Sequence, residues 1–164
     1  EGADAIMLSG ETSIGKYPVE CVKFLKSISK RTEKFKTLEY EKELITNSDW
    51  ESIAVAARDL SKSINADGII AVTRTGSTAG YISNAKPKDI PIYTFTNNIN
   101  TLNQLSLVGS VIPFYLKRLN NHKKTLDHVR DVLKPLHRKK KLKFVMVSGI
   151  FSEKHSEAIQ IINF

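Results

Sequence analysis

The chain has 164 residues, 41% of them hydrophobic, with a formal net charge of +8 and a single cysteine. That length suffices for one domain with a real core, or for one domain plus an appendage. No apolar run reaches the roughly 18 residues of a membrane-spanning helix, and one thiol excludes an internal disulfide and fits a reducing compartment.

The sequence opens on an acidic residue with no Met and no charged-then-apolar leader, so it reads as a cut inside a longer chain with no signal peptide in view. "ADAIML", residues 3–8, reads as a short buried strand. Gly10-x-x-x-x-Gly15-Lys16 follows and lacks one position of a P-loop. That position needs the short hydroxyl of Ser or Thr for Mg²⁺, and here it is Tyr17, then Pro18. The later apolar runs end in Thr or Ser-Gly, not in the Asp that a P-loop enzyme places at its second strand. A nucleoside triphosphate site is therefore not expected. Pro18 suits the first turn of a helix, and Glu20 adds negative charge there. Val22, Leu25 and Ile28 give that helix an apolar face, on which Cys21 reads as a buried structural thiol. The polar stretch 32–49 breaks the pattern and marks a domain boundary.

Ser48-Asp49-Trp50-Glu51 is a capping-box sequence. It opens a helix with Ile53, Ala57, Leu60 and Ile64 at helical spacing, ended by Asn65-Ala66-Asp67-Gly68. "GIIAVT" is a buried strand, "RTGST" a turn, and "TAGYISNAK" a short helix stopped by Pro87. "PIYTFT" is a second strand. "INTLNQLSLV" is a helix with Gly109 just past its end. "SVIPFYL" is a third strand that Pro113 pushes towards a sheet edge. A long helix over "KKTLDHVRDVLKPLHRKKK" turns Leu126, Val129, Leu133 and Leu136 inward, and Pro135 is expected to kink it or to end its regular part. "LKFVMVSG" and "EAIQIINF" are the last two strands.

Strand and helix alternate from Ser48 onward, which calls for a mostly parallel sheet with helices on both faces. Only about eight residues separate the last two strands, too few for a parallel crossover, so the final strand is expected antiparallel. The expected fold is a three-layer α/β/α domain with a mostly parallel five-stranded sheet. Residues 1–35 do not belong to it, because one strand and one helix cannot bury both faces of a sheet. They read as the last piece of a larger α/β domain.

Much of the positive charge lies in residues 26–36 and 134–144. The second run is a helix end plus a connector, where Lys and Arg suit the helix dipole. Only Phe35 and Phe144 interleave with these charges, so base stacking has little support. The expectation is a solvated basic face, with neither nucleic acid nor membrane as partner.

The stretch "EGADAIMLSGETSIGKYPVECVKFLKSI" resembles the last strand and helix of the pyruvate kinase barrel, with its (D/E)GADA-hydrophobic-MLSGET run and its G-x-YP-hydrophobic-E. "AVTRTGSTAGYISNAKPKDIPIYTFTNN" resembles the start of the same family's C-terminal domain, and "LSLVGSVIPFYL" its helix, glycine and proline-bearing strand. The resemblance implies that residues 1–37 are a remnant of a (β/α)8 barrel and residues 38–164 the C-terminal regulatory domain. It implies a parent that transfers phosphoryl from phosphoenolpyruvate to ADP in glycolysis, giving pyruvate and ATP. Such a parent uses Mg²⁺ and K⁺ held by residues upstream of Glu1 and assembles as a homotetramer, in the cytoplasm or an organelle.

The resemblance also implies that Ser9 and Glu11 help relay a proton in a shielded site at the barrel mouth, a task for which a hydroxyl and a carboxylate are suited. Ile14 stands where family members often carry a nucleotide-contacting Lys. It further implies an effector phosphate cradle at Thr73, Arg74, Thr75, Gly76, Ser77 and Thr78. Such a loop leaves a strand's C-terminal end and enters a helix whose N–H groups and dipole attract an anion. "GIFSEKHSEA", residues 149–158, stands where bisphosphate-activated members have a glycine-rich loop. With one glycine and two glutamates it favours a sugar monophosphate or nucleotide, or no effector, although Lys154 and His155 could meet a phosphate. No metal ligand is expected in the chain. By itself it is expected to be inactive. The alternative reading is a stand-alone doubly wound phosphate-binding module.

Overall fold

The computed structural model describes residues 3–33, 48–117, 122–148 and 158–164. The chain divides into two compact units, residues 1–44 and 45–164.

In the first unit, a single helical turn α1 (Gly10–Ser13) precedes helix α2 (Pro18–Thr32). Pro18 occupies the first turn of α2, with Glu20 near its N-terminus and Lys30 and Arg31 in its last turn, matching the dipole. The strand expected over residues 3–8 does not form. A strand exists through hydrogen bonds to a neighbour, and the described residues of this unit include no other strand. Nothing in α1 or α2 is buried. Val19, Val22, Phe24 and Ile28 are exposed. Cys21 is half-buried, contrary to the buried thiol expected, and its Sγ–H donates to the Glu11 carbonyl at 3.7 Å.

The second unit is a three-layer domain built from α3 (Asp49–Ser63), β1 (Gly68–Val72), α4 (Ser77–Asn84), β2 (Ile92–Thr96), α5 (Ile99–Leu105), β3 (Val111–Tyr115), α6 (His122–Leu133), β4 (Lys143–Ser148) and β5 (Ala158–Asn163). The five strands run in the order β3-β2-β1-β4-β5. All pairings are parallel except β4 with β5, which is antiparallel as their short separation requires. Alternate residues of the central strands feed two cores. Ile69, Ala71, Val145 and Val147 face Ala54, Ala57, Ala79, Ile82 and Leu105 of α3, α4 and α5. Ile70, Val72, Phe144 and Met146 face Val129 and Leu133 of α6. The chain steps β1-β2-β3 with its helices on one face and returns to β4 with α6 on the other. Right-handed crossovers demand that arrangement.

Local chemistry fixes the element ends. The Ser48 hydroxyl accepts from the Glu51 N–H at 3.3 Å and caps α3. Asn65, with φ at 51°, turns the chain after α3. The buried Arg58 donates to the Ala85 carbonyl at 3.0 Å, a cation at the C-terminus of α4. The Leu116 N–H donates to Thr96 O at 2.8 Å, and alternate residues of a strand share a hydrogen-bonding side. Position 113 therefore faces away from β2, and the edge strand β3 tolerates a proline there.

Two expectations fail in the second unit. Helix α5 stops at Leu105, short of the predicted Val108, and the reversal falls on Ser110, with φ at 61°. Leu136 is 56% exposed, not inward, because Pro135 ends α6 at Leu133 and the chain continues as a 3₁₀ turn, Lys134–Leu136.

Candidate anion-binding site

Strand β1 delivers the chain to the sheet's C-terminal edge, where the Thr73 N–H still donates to Phe95 O at 3.0 Å. The loop then turns at Gly76, with φ at 90°, a conformation that favours glycine. A Cβ there would also come within 3.3 Å of Thr101 Cγ2 and 3.4 Å of Leu105 Cδ2. Two side chains tie the loop down. The buried Thr73 hydroxyl accepts from the Gly76 N–H at 3.0 Å, and the Thr101 hydroxyl donates to the Arg74 carbonyl at 3.0 Å. Thr101 is placed by Asn98, whose side chain caps α5 by accepting from the N–H groups of Asn100 and Thr101.

The six residues expected to form the cradle therefore divide. Thr73 and Thr78 are buried, and Thr73 serves the loop itself. Arg74, Thr75 and Ser77 are exposed, with the Thr75 and Ser77 hydroxyls 2.9 Å apart. The first-turn N–H groups of α4 have no intrahelical acceptor, and the helix dipole makes that end positive. The strand order reverses beside this loop: the chain leaves β1 towards β2 and comes back to β4 on the other flank. Doubly wound sheets bind ligands in the crevice at such a point. Ser148 closes β4 in register with Val72, and its buried hydroxyl has no partner among the described residues. The stretch 149–157, with Lys154 and His155, lies outside the described residues.

At the opposite edge of the sheet, Asp67 accepts from Lys139 Nζ at 2.6 Å and from the Lys143 N–H at 2.9 Å. Burial pushes its carboxyl up, but these two donors and the charges of Lys139 and His137 outweigh it and hold the group below the ordinary range. Tyr93, in hydrogen-bond contact with His137 Nε2 at 3.1 Å, has its phenol pushed up by burial and by the Asp67 charge. Lys139 and Lys143, both in the basic run 134–144, are thus pinned to the start of β1.

In the first unit, Ser9 and Glu11 are exposed. The Ser9 carbonyl accepts from the N–H groups of Thr12 and Ser13 and from the Thr12 hydroxyl, which closes α1. A Cβ on Gly15 would collide with the Glu11 carbonyl, so the glycine lets the chain pass close to that turn. Among the described residues, no three His, Cys, Asp or Glu side chains converge to hold a metal ion. No described helix is long and apolar enough to cross a membrane.

The family "Pyruvate kinase, alpha/beta domain" matches residues 51–162. The chain belongs to the pyruvate kinase family. "Pyruvate kinase 2" of Synechocystis sp. is 34% identical over 84% of this chain and 23% of its own length. "Pyruvate kinase" of Thermotoga maritima is 41% identical over 69% of this chain and 24% of its own. Other relatives are named chloroplastic isozymes. The chain thus spans about a quarter of the curated pyruvate kinases it matches. A crystal structure of a pyruvate kinase from Cryptosporidium parvum superposes with a TM-score of 0.83, covering 99% of this chain and 33% of that one. At 22% identity, that likeness concerns the fold.

Sequence reasoning missed Thr101, whose clamp on the Arg74 carbonyl comes from another βα unit and carries no local signal. It also read Trp50 only as part of a helix cap, while the indole stacks on Tyr81 beside Thr78.

Proposed function

We propose that the chain is the C-terminal part of a pyruvate kinase whose full length transfers phosphoryl from phosphoenolpyruvate to ADP. Residues 1–37 would complete its barrel, residues 38–164 would form its regulatory domain, and the loop Thr73–Thr78 would take the phosphate of a small effector. The observation that carries the reading is one chain holding both the "LSGET" turn and the family's α/β domain over residues 51–162. In the full-length protein, Ser9 and Glu11 would stand at the barrel mouth and pass a proton. The described residues offer no set of metal ligands, so no step of this reading runs through Mg²⁺ or K⁺ here. Self-association through the second unit and a place in the cytoplasm or an organelle complete the reading.

The anion site rests on the exposed Arg74, the N-terminal end of α4 and the strand reversal. Calorimetry with ribose 5-phosphate, glucose 6-phosphate and fructose 1,6-bisphosphate tests it. A monophosphate should bind, the bisphosphate should gain nothing from its second phosphate, and Arg74→Ala should weaken binding about tenfold. Monophosphate binding indifferent to Arg74, or much tighter bisphosphate binding, contradicts the site. A coupled assay of the pure chain with Mg²⁺, K⁺, phosphoenolpyruvate and ADP should read background only, and clear turnover would show that the missing barrel is dispensable.

A further inference from the structure

The basic run 134–143 is not the helix end that its sequence suggests. Helix α6 stops at Leu133, and only Lys134 follows closely enough to answer its dipole. Arg138, Lys139, Lys140, Lys141 and Lys143 lie beyond the 3₁₀ turn, in the connector and at the first position of β4. Six cations thus fall within ten residues that hold no Asp or Glu. Every one of them is exposed. Among the described residues, only Lys139 has an acidic partner, Asp67 at 2.6 Å.

The connector is also held in one shape. His137 Nε2 meets the Tyr93 hydroxyl at 3.1 Å, and its ring packs edge-on against Tyr93 and Phe144. Leu142 is buried and exchanges two backbone hydrogen bonds with Phe164, at 2.9 and 3.0 Å. The Asp67 carboxylate accepts from the Lys143 N–H at 2.9 Å. Clustered like charges repel, and a run that served solubility alone would relieve the repulsion by moving freely. Anchors at 137, 142 and 143 instead present the cations as a preformed surface, which lowers the ordering cost of binding. Within that surface Leu136 is 56% exposed, between Lys134 and Arg138.

That mixture narrows the partner. Single-stranded nucleic acid stacks its bases on aromatic rings, and the rings here, Tyr93 and Phe144, are buried against each other. Planar forks for phosphate come from Arg, whereas five of these six cations are Lys. A membrane surface takes a broad apolar face beneath the cations, and a single leucine on a turn is not one. Carboxylates interspersed with an apolar side chain match both the lysines and Leu136. We infer that the connector 134–143 is a docking surface for an acidic segment of another protein. The carboxylates of that segment meet Arg138, Lys140 and Lys141, and an apolar side chain covers Leu136. The surface lies where β4 begins, at the sheet edge opposite the loop Thr73–Thr78, and does not depend on that loop's ligand.

A fluorescein-labelled peptide of repeated Glu-Glu-Leu triplets, titrated with the 164-residue chain at low salt, tests this by anisotropy. The peptide should bind, and added salt should weaken it. Lys140→Glu with Lys141→Glu should weaken binding about tenfold, since two attractions become repulsions. Leu136→Ser should weaken it about threefold through lost apolar contact. Lys26→Glu with Lys30→Glu makes the same change of net charge on exposed residues of the first unit and should leave the affinity as it was. No binding at low salt, or binding indifferent to Lys140→Glu with Lys141→Glu, overturns the surface. Equal losses from the two lysine pairs overturn it too, because net charge alone would then attract the peptide. Unchanged affinity in Leu136→Ser overturns the apolar contact and the choice of partner with it. Tighter binding of duplex RNA or of phosphatidylserine vesicles through Lys140 and Lys141 overturns the acidic protein as partner. Lys140→Gln with Lys141→Gln should show a smaller loss in the same direction, and it decides the matter even where the glutamate pair fails to fold.

Discussion

"ADAIML" in the first unit and "GIIAV" in the second are nearly the same apolar message with opposite outcomes. The second is β1, buried at every position and hydrogen-bonded to β2 on one side and β4 on the other. The first has no partner strand among the described residues and no regular structure, and Ile6 and Met7 are exposed. The difference lies in the company each segment keeps. A strand is stabilised by neighbours that satisfy its backbone and cover its faces, and only residues 45–164 bring their own.

Paired substitutions sharpen that contrast. Phe144 is fully buried between Tyr93, His137 and Phe164, with ring centroids 5.6 to 5.9 Å away. Phe144→Ala should destabilise the second unit by about 3–5 kcal/mol in urea unfolding. Phe24 in α2 is 68% exposed, and Phe24→Ala should stay within about 0.5 kcal/mol. A large loss from Phe24→Ala would mean that α2 buries a face in solution and would break the comparison.

Glycines give a smaller effect in the same direction. A Cβ on Gly68 would lie 2.6 Å from the Tyr93 ring and 3.0 Å from the Pro91 carbonyl, and the ring is held by Phe114, Phe144 and His137. Gly68→Ala should cost about 1–3 kcal/mol through overpacking. A Cβ on Gly10 would meet nothing within 4 Å, so Gly10→Ala should leave thermal unfolding almost unchanged. Equal losses at the two sites would show that α1 is packed as closely as β1.

The smallest effect separates the two units by pH. Asp67 is held below its ordinary value, so its contribution is fully present above the unfolded value of about 3.9. It is lost as the pH falls through the lower, folded value. Asp67→Asn should therefore cost about 1 kcal/mol at pH 7, with the gap from wild type closing below about pH 4. Urea titrations across that range read it out, and a gap that persists unchanged at acid pH would show that the carboxylate charge is not what binds Lys139 and Lys143.

By itself, the sequence determined the elements whose signals are local. Ser48 announced the α3 cap, Pro135 the end of α6, Pro113 an edge strand, and the short spacing before Ala158 an antiparallel close. Each is a steric or hydrogen-bonding rule acting within a few residues, and alternation of strand and helix then leaves few topologies. The loop Thr73–Thr78 was equally legible, because strand, glycine and helix start are contiguous in the chain. Tertiary structure alone decided what crosses between elements: the Thr101 clamp on Arg74, the pinning of Lys139 and Lys143 by Asp67, and the Trp50–Tyr81 stack. Those partners lie 27 to 76 residues apart in sequence where hydrogen-bonded, and no local pattern encodes a contact made only when two helices settle on one sheet. It also decided that residues 3–8 stay unpaired, because whether an apolar run becomes a strand depends on a neighbour that the run itself cannot specify.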